Sequence, residues 1–267
     1  MNNAIKQLLP ITLLFFIMKI GYSQSFEGTN FSNTNPIYYN LPVEFNGSES
    51  YSISFKTSEE AIKALVPQPL TPATNGNITL VFAKHKVVAP VRFNYNEAYL
   101  ITPVSFDNKY GVYCIILYLD KIMPVTVGRE IWGYNKVGGD FNYYEKDGVM
   151  TITLSQMDTV IIKAKFVLGE SLVPSSQPGK ARVINLKYIP SVIKDAPPDV
   201  MQLTTSPTIG NLDTHLQKCT AELEFYPTSQ NPLDQIPILE IVKAQYQVGK
   251  FTMINGEVLY DYLKKGE

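Results

Sequence analysis

The chain is patterned in twos. Between Glu49 and Lys56, apolar Tyr51, Ile53 and Phe55 alternate with Ser50, Ser52 and Ser54, the period of a strand with one buried face. Thr57-Ser58-Glu59-Glu60 then reads as a capping box opening a short helix through Leu65, which Pro67 and Pro69 terminate. Apolar and alternating runs predict further strands over 78–84, 97–106, 112–119, 141–145, 149–155, 160–167, 185–189, 214–225 and 238–247. Asp147-Gly148 is expected to join two of them as a tight hairpin. Gly169 to Arg182 reads as a turn-rich connector, Lys194 to Gly210 as a Pro-rich loop, and Glu257 to Lys264 as a short terminal helix. So many strands with so few helices predict a mainly β fold, a closed or sandwiched sheet.

The two ends of this pattern differ from its middle. Met1 to Ser23 carries a basic start at Lys6, the apolar run Leu8–Met18 and small residues at Gly21 and Ser23, which together describe a signal peptide. The run is shorter than the roughly 20 residues of a membrane-spanning helix. Cleavage after Ser23 is expected, placing the mature protein outside the cytoplasm, secreted or periplasmic; an uncleaved anchor is the competing reading. Residues 24–46 have no periodicity and read as an N-terminal arm, so the folded domain is expected over 47–267.

Loss of Lys6 and Lys19 with the leader leaves 21 basic and 24 acidic residues, a net charge of −3. That balance argues against nucleic acid and an anionic membrane surface as partners. Cys114 and Cys219 are the only cysteines, and free thiols are favoured over a disulfide because Cys114 lies in an apolar strand pattern. His85 and His215 are the only histidines and show no ligand spacing, and His85, between Lys84 and Lys86, is expected to be exposed. No metal, triad or phosphate-loop pattern is present, and no cofactor is expected.

The chemistry that the sequence does suggest centres on Val127 to Gly139, where the only Trp and Lys136 stand among glycines. Lys136 is either a surface lysine or a buried amine. At its reference pKa only about one lysine in a few thousand is neutral at pH 7, and freeing the amine by a shift of about 3 units would cost about 4 kcal/mol. Gly128-Arg129-Glu130, followed two residues later by Gly133-Tyr134-Asn135-Lys136, resembles the signature of the acetoacetate decarboxylase family. Ala64-Leu65-Val66-Pro67-Gln68-Pro69-Leu70, Pro103-Val104-Ser105-Phe106, Tyr118-Leu119-Asp120, Leu186–Pro190, Pro232–Pro237, Glu240–Val242 and Glu257–Leu263 continue the likeness in order.

The resemblance implies a cone-shaped antiparallel β-barrel and a Schiff-base lysine at Lys136, acting on a small β-keto acid. It places an active-site glutamate at Glu97, whose competing reading is an exposed strand residue. Arg129 and Glu130 match the signature, either as a structural pair or in contact with substrate, and Trp132 and Tyr134 are expected beside the lysine. The family's second lysine is Val137 here and the preceding proline is Asn135. Counting places Ser48 at a family arginine and Ala83 near a family glutamate. Decarboxylation is therefore expected, against aldolase or dehydratase chemistry through the same imine, or a non-catalytic binding protein for a small carbonyl or apolar ligand. Self-association is left open.

Overall fold

The structure is a computed structural model that describes residues 39–264 except Asn75. The expected leader and the first part of the arm lie outside these residues. In chain order the elements are β1 (Val43–Lys56), α1 (Glu59–Leu65), β2 (Thr71–Pro72), β3 (Asn77–Ala89), β4 (Phe93–Phe106) and β5 (Lys109–Leu119). Then come α2 (Ile122–Val127), a π-helical turn over Gly128–Trp132, β6 (Lys136–Gly138), β7 (Asp140–Lys146), β8 (Val149–Gln156) and β9 (Thr159–Leu172). The chain continues through β10 (Gly179–Ile189), β11 (Val200–Phe225), a 3-10 turn over Leu233–Gln235, β12 (Glu240–Met253) and β13 (Val258–Asp261).

All thirteen strands among the described residues belong to one sheet, in the order β10-β5-β4-β3-β1-β12-β11-β9-β8-β7 along its main path. β10 pairs with β11 as well as β5, so the path turns back on itself. The β10–β5 contact is a short parallel seam, Val183↔Val112 and Ile184↔Tyr113. The result is the mainly β barrel with few short helices that the pattern predicts, with β7 to β9 extending beyond it.

Because side chains alternate along a strand, the β1–β3–β4–β5 wall has two faces. One carries Ile53, Phe55, Leu80, Phe82, Ala98, Leu100 and Tyr118 and packs against Ile152, Leu154, Ile162 and Phe166 from the β8–β9 extension. Each fully buried side chain of this kind contributes about 1.5–3 kcal/mol, so stability rests mainly here. The opposite face carries Phe45, Val87, Tyr95, Cys114, Leu117 and Leu119 in a smaller second cluster. That face is free to hold polar chemistry.

Several local expectations hold and others need correcting. Asp147 and Gly148 both have positive φ, 52° and 75°, as a tight primed hairpin requires. Ser58 caps α1 by accepting the Ala61 N–H at 3.1 Å, so the cap is Ser58 and not Thr57. β1 begins at Val43, inside the stretch read as an arm, because Val43 and Phe45 already face the second core. The expected loop Lys194–Gly210 contains the first half of β11, where Thr204, Thr205 and Ser206 are buried between strands and so look polar in the sequence. The connector shrinks to 173–178 between β9 and β10. The expected terminal helix is β13, since Tyr260 and Asp261 pair with Leu203 and Gln202 of β11. Tertiary pairing overrides an end segment with no helical cap.

Candidate active site

Lys136 opens β6, which lies parallel to the end of β5 with Lys136 opposite Leu117. The preceding turn aims it. α2 runs into the π-helical turn, and Gly133 reverses the backbone at φ 74°. A side chain at Gly133 would collide with Lys187, whose Cβ lies 2.2 Å from the position of an added Cβ. Lys187 fastens the same turn by donating to the Glu130 carbonyl at 2.6 Å. Arg129 donates to the Lys136 carbonyl at 3.1 Å. The Trp132 indole N–H donates to the Ile254 carbonyl at 3.1 Å. The Tyr134 hydroxyl accepts from Ser206 at 2.6 Å, and Ser206 accepts from Asn185 at 3.1 Å.

The Lys136 side chain is 7% exposed. Its Nζ lies 3.3 Å from Glu97 Oε2 and 3.3 Å from the Pro124 carbonyl, and 4.9 Å from the centre of the Tyr134 ring. Gly128 makes room for it, because a Cβ there would lie 2.6, 2.7 and 2.8 Å from Cε, Cδ and Nζ of Lys136. The glycine of the signature is therefore the floor under the lysine stem.

Glu97 reaches the amine from β4, where it pairs with Ala83 of β3 and Leu119 of β5. It is buried, with 8% of its side chain exposed. Burial by itself would push the carboxyl up; the Lys136 charge and the hydrogen bond and charge of His85 outweigh that and hold it below the ordinary value. His85 is the correction on this wall. It is buried, not exposed, with Nε2 3.5 Å from Glu97 Oε1. The flanking Lys84 and Lys86 misdirect the reading, since alternation sends His85 inward with Ala83 and Val87.

Glu97, His85, Lys136 and Tyr134 line one cavity of about 370 Å³, closed by apolar Phe45, Ile101, Leu117 and Phe251 among others. That is large enough for a small organic ligand. Arg129, Glu130 and Trp132 are not among its lining residues; they build the turn. Arg129 and Glu130 are exposed, and Trp132 packs in the second core. Ser48 and Ala83 line the cavity, and the Ser48 hydroxyl accepts the Lys86 N–H at 3.2 Å. Val137 faces the large core, on the opposite side of β6 from Lys136. Cys114 is a free thiol on the cavity wall, pushed up by burial first and by Glu97 second, which keeps it neutral. Cys219 is also free.

Fold and site together define a β-barrel protein with a buried lysine, held by a carboxylate, in the wall of a mostly apolar cavity. The chain belongs to the acetoacetate decarboxylase family, whose profile, Acetoacetate decarboxylase (ADC), matches residues 30–263. The acetoacetate decarboxylase of Burkholderia multivorans is 27% identical over 252 residues, covering 86% of this chain and 93% of that protein. That of Clostridium botulinum is 26% identical over 240 residues, with 87% and 94% covered. Among solved structures, acetoacetate decarboxylase from Legionella pneumophila superposes with a TM-score of 0.74 at 24% identity, covering 88% of this chain and 95% of that one. The enduracididine biosynthesis enzyme MppR, complexed with the condensation product of pyruvate and imidazole 4-carboxaldehyde, superposes with a TM-score of 0.74 at 17% identity, with 88% and 97% covered.

Proposed function

We propose that this protein is a Schiff-base enzyme that decarboxylates a small β-keto acid. The observation that carries this reading is the buried Lys136 amine, 3.3 Å from Glu97 in the cavity wall. Nζ attacks the ketone carbon and water leaves, giving a protonated imine. The bond to the carboxylate breaks, its electron pair moves to the imine nitrogen, and CO2 departs. The enamine carbon takes a proton, and water hydrolyses the imine to release ketone and free amine. Glu97 holds the amine in place and serves as the nearest proton carrier. Tyr134 and the apolar wall limit water around the imine.

The decisive test is borohydride reduction in the presence of a panel of keto acids, with mass mapping of the labelled residue and analysis of CO2. Labelling at Lys136 with CO2 release is expected. Labelling elsewhere, or none with any keto acid, defeats the reading and favours a binding protein. A second reading, condensation or dehydration through the same imine, is supported by the MppR complex and by Ser48 and Ala83, where the family resemblance places charged groups. Labelling without CO2 would select it.

Gly128 offers an independent check on geometry. Gly128→Ala should push the lysine stem aside by about 1 Å, and a displacement of that size costs about 10²-fold in rate. Thermal melting should change little, since the methyl displaces a flexible side chain. An unchanged labelling rate would show that the amine is not held where the structure has it.

Export is proposed on the same footing. The mature protein is expected to begin near Gln24, and N-terminal sequencing of extracytoplasmic material tests this; an intact Met1 in the membrane fraction overturns it.

A further inference from the structure

His85 has no part in the chemistry above, yet it is built into the cavity wall. It lies 3.5 Å from Oε1 of Glu97, while Lys136 holds the other oxygen, Oε2, at 3.3 Å. Its ring packs edge-on to Phe45 and Phe251, with centroids 5.2 and 5.7 Å away, and tilted to Tyr95 at 5.0 Å. Its Nδ1 is buried and has no hydrogen-bond partner among the described residues. Most buried side-chain nitrogens have a hydrogen-bond partner. This histidine presents one nitrogen to the carboxylate and leaves the other open.

We infer that His85 is the alternate seat for the proton that Lys136 must give up before it can attack. The inference rests on the Schiff-base reading and adds to it. Glu97 carries one negative charge between two bases, and burial demands one positive charge beside it. While the proton is on Lys136, the nitrogen has no lone pair to offer. When an Nζ–H bond breaks, the proton passes to Glu97 Oε2, 3.3 Å away, and the carboxyl, turning about its Cγ–Cδ bond, gives it up to His85 Nε2, where a new N–H bond forms on the tautomer whose other hydrogen is on Nδ1. Nε2–H then faces the restored carboxylate, so the imidazolium replaces the ammonium as the partner of Glu97. The trio keeps its net charge and the amine gains its lone pair. Histidine suits this role because either ring nitrogen can carry the proton. The neighbouring residue cannot take it, because Val137 has no basic atom and packs against the other core. His85 acts through Glu97 and is a positioning residue.

Around the ring, Glu97 and Tyr95 of β4 are the titratable neighbours, while Phe45 of β1 and Phe251 of β12 do not titrate. Glu49, Asp213 and Lys250 are the remaining charged residues along the cavity wall.

The test uses His85→Gln, which can still donate toward Glu97 but holds no proton. Borohydride labelling of wild type and variant is followed from about pH 6 to about pH 9 with one β-keto acid that labels the wild type. Labelling of the variant should be slower by about 10²-fold near pH 6, within the usual contribution of a positioned proton carrier, and approach wild type near pH 9. In His85→Gly, added imidazole should restore labelling at the lower pH. Superimposable profiles, or an equal loss at every pH with no rescue by imidazole, would overturn the inference while leaving Lys136 labelled in wild type. An unlabelled wild type would instead defeat the Schiff-base reading beneath it.

Discussion

Lys136→Met is expected to abolish both CO2 release and borohydride labelling, because it keeps the stem and removes the buried amine that Glu97 holds in the cavity wall. The substitution also takes a cation from Glu97, and breaking a buried pair costs about 3–5 kcal/mol. For a domain of this size that is a fall in melting temperature of roughly 6–20 °C. His85 on the other oxygen should keep the loss toward the lower figure. Lys136→Arg separates the two effects. It retains a positive charge beside Glu97, but a guanidinium stays protonated and is not a nucleophile. A stable Lys136→Arg protein that is neither labelled nor active is the expected outcome, and residual labelling in either variant would move the chemistry elsewhere.

Glu97→Gln should slow turnover by about 10²–10⁴-fold, the range that a positioned proton carrier contributes, yet leave labelling detectable. The amide matches the carboxylate in shape, so the cavity survives, and the amine loses the charge that favours its ammonium form. Stability should follow pH with a definite sign. A carboxyl held below its ordinary 4.5 stabilises the fold above that value, and the benefit is lost as pH falls through the lowered folded value. Urea unfolding should therefore show a constant gap between wild type and Glu97→Gln near neutral pH, closing in acid. A gap that widens as the solution is acidified would refute the ion pair.

Much of this was legible in the sequence because period two is a strong signal where one face of a strand is apolar. Tyr51, Ile53 and Phe55 announce β1, and the glycines around Lys136 mark a turn that has to pass close to a side chain. The polar half of β11 was hidden, because Thr204 to Ser206 find their partners in β10 and β13 and in the segment that carries Trp132 and Tyr134. No local pattern reports that. His85 was hidden in the opposite way, by charged neighbours that point outward. Counting by twos from Ala83 would have placed it on the inner wall, but only the pairing of β3 with β4 puts it near Glu97. Val137 shows a further limit, since adjacency in sequence puts it on the far side of the strand from Lys136.

The pairing of β1 with β12 joins Val43 to Met253, positions about 210 residues apart. Contacts between segments so distant form slowly. At about 5–20 residues per second, roughly ten seconds or more of synthesis separate the emergence of β1 from that of its partner. During that interval the edge of β1 that faces away from β3 is unsealed, and the lysine pocket has no β12 wall. The barrel can close only when nearly the whole chain is present, so a growing chain remains threadable almost to its end. A leader of the kind expected at Met1–Ser23 would act in that window, and the pocket would first assemble on the far side of the membrane.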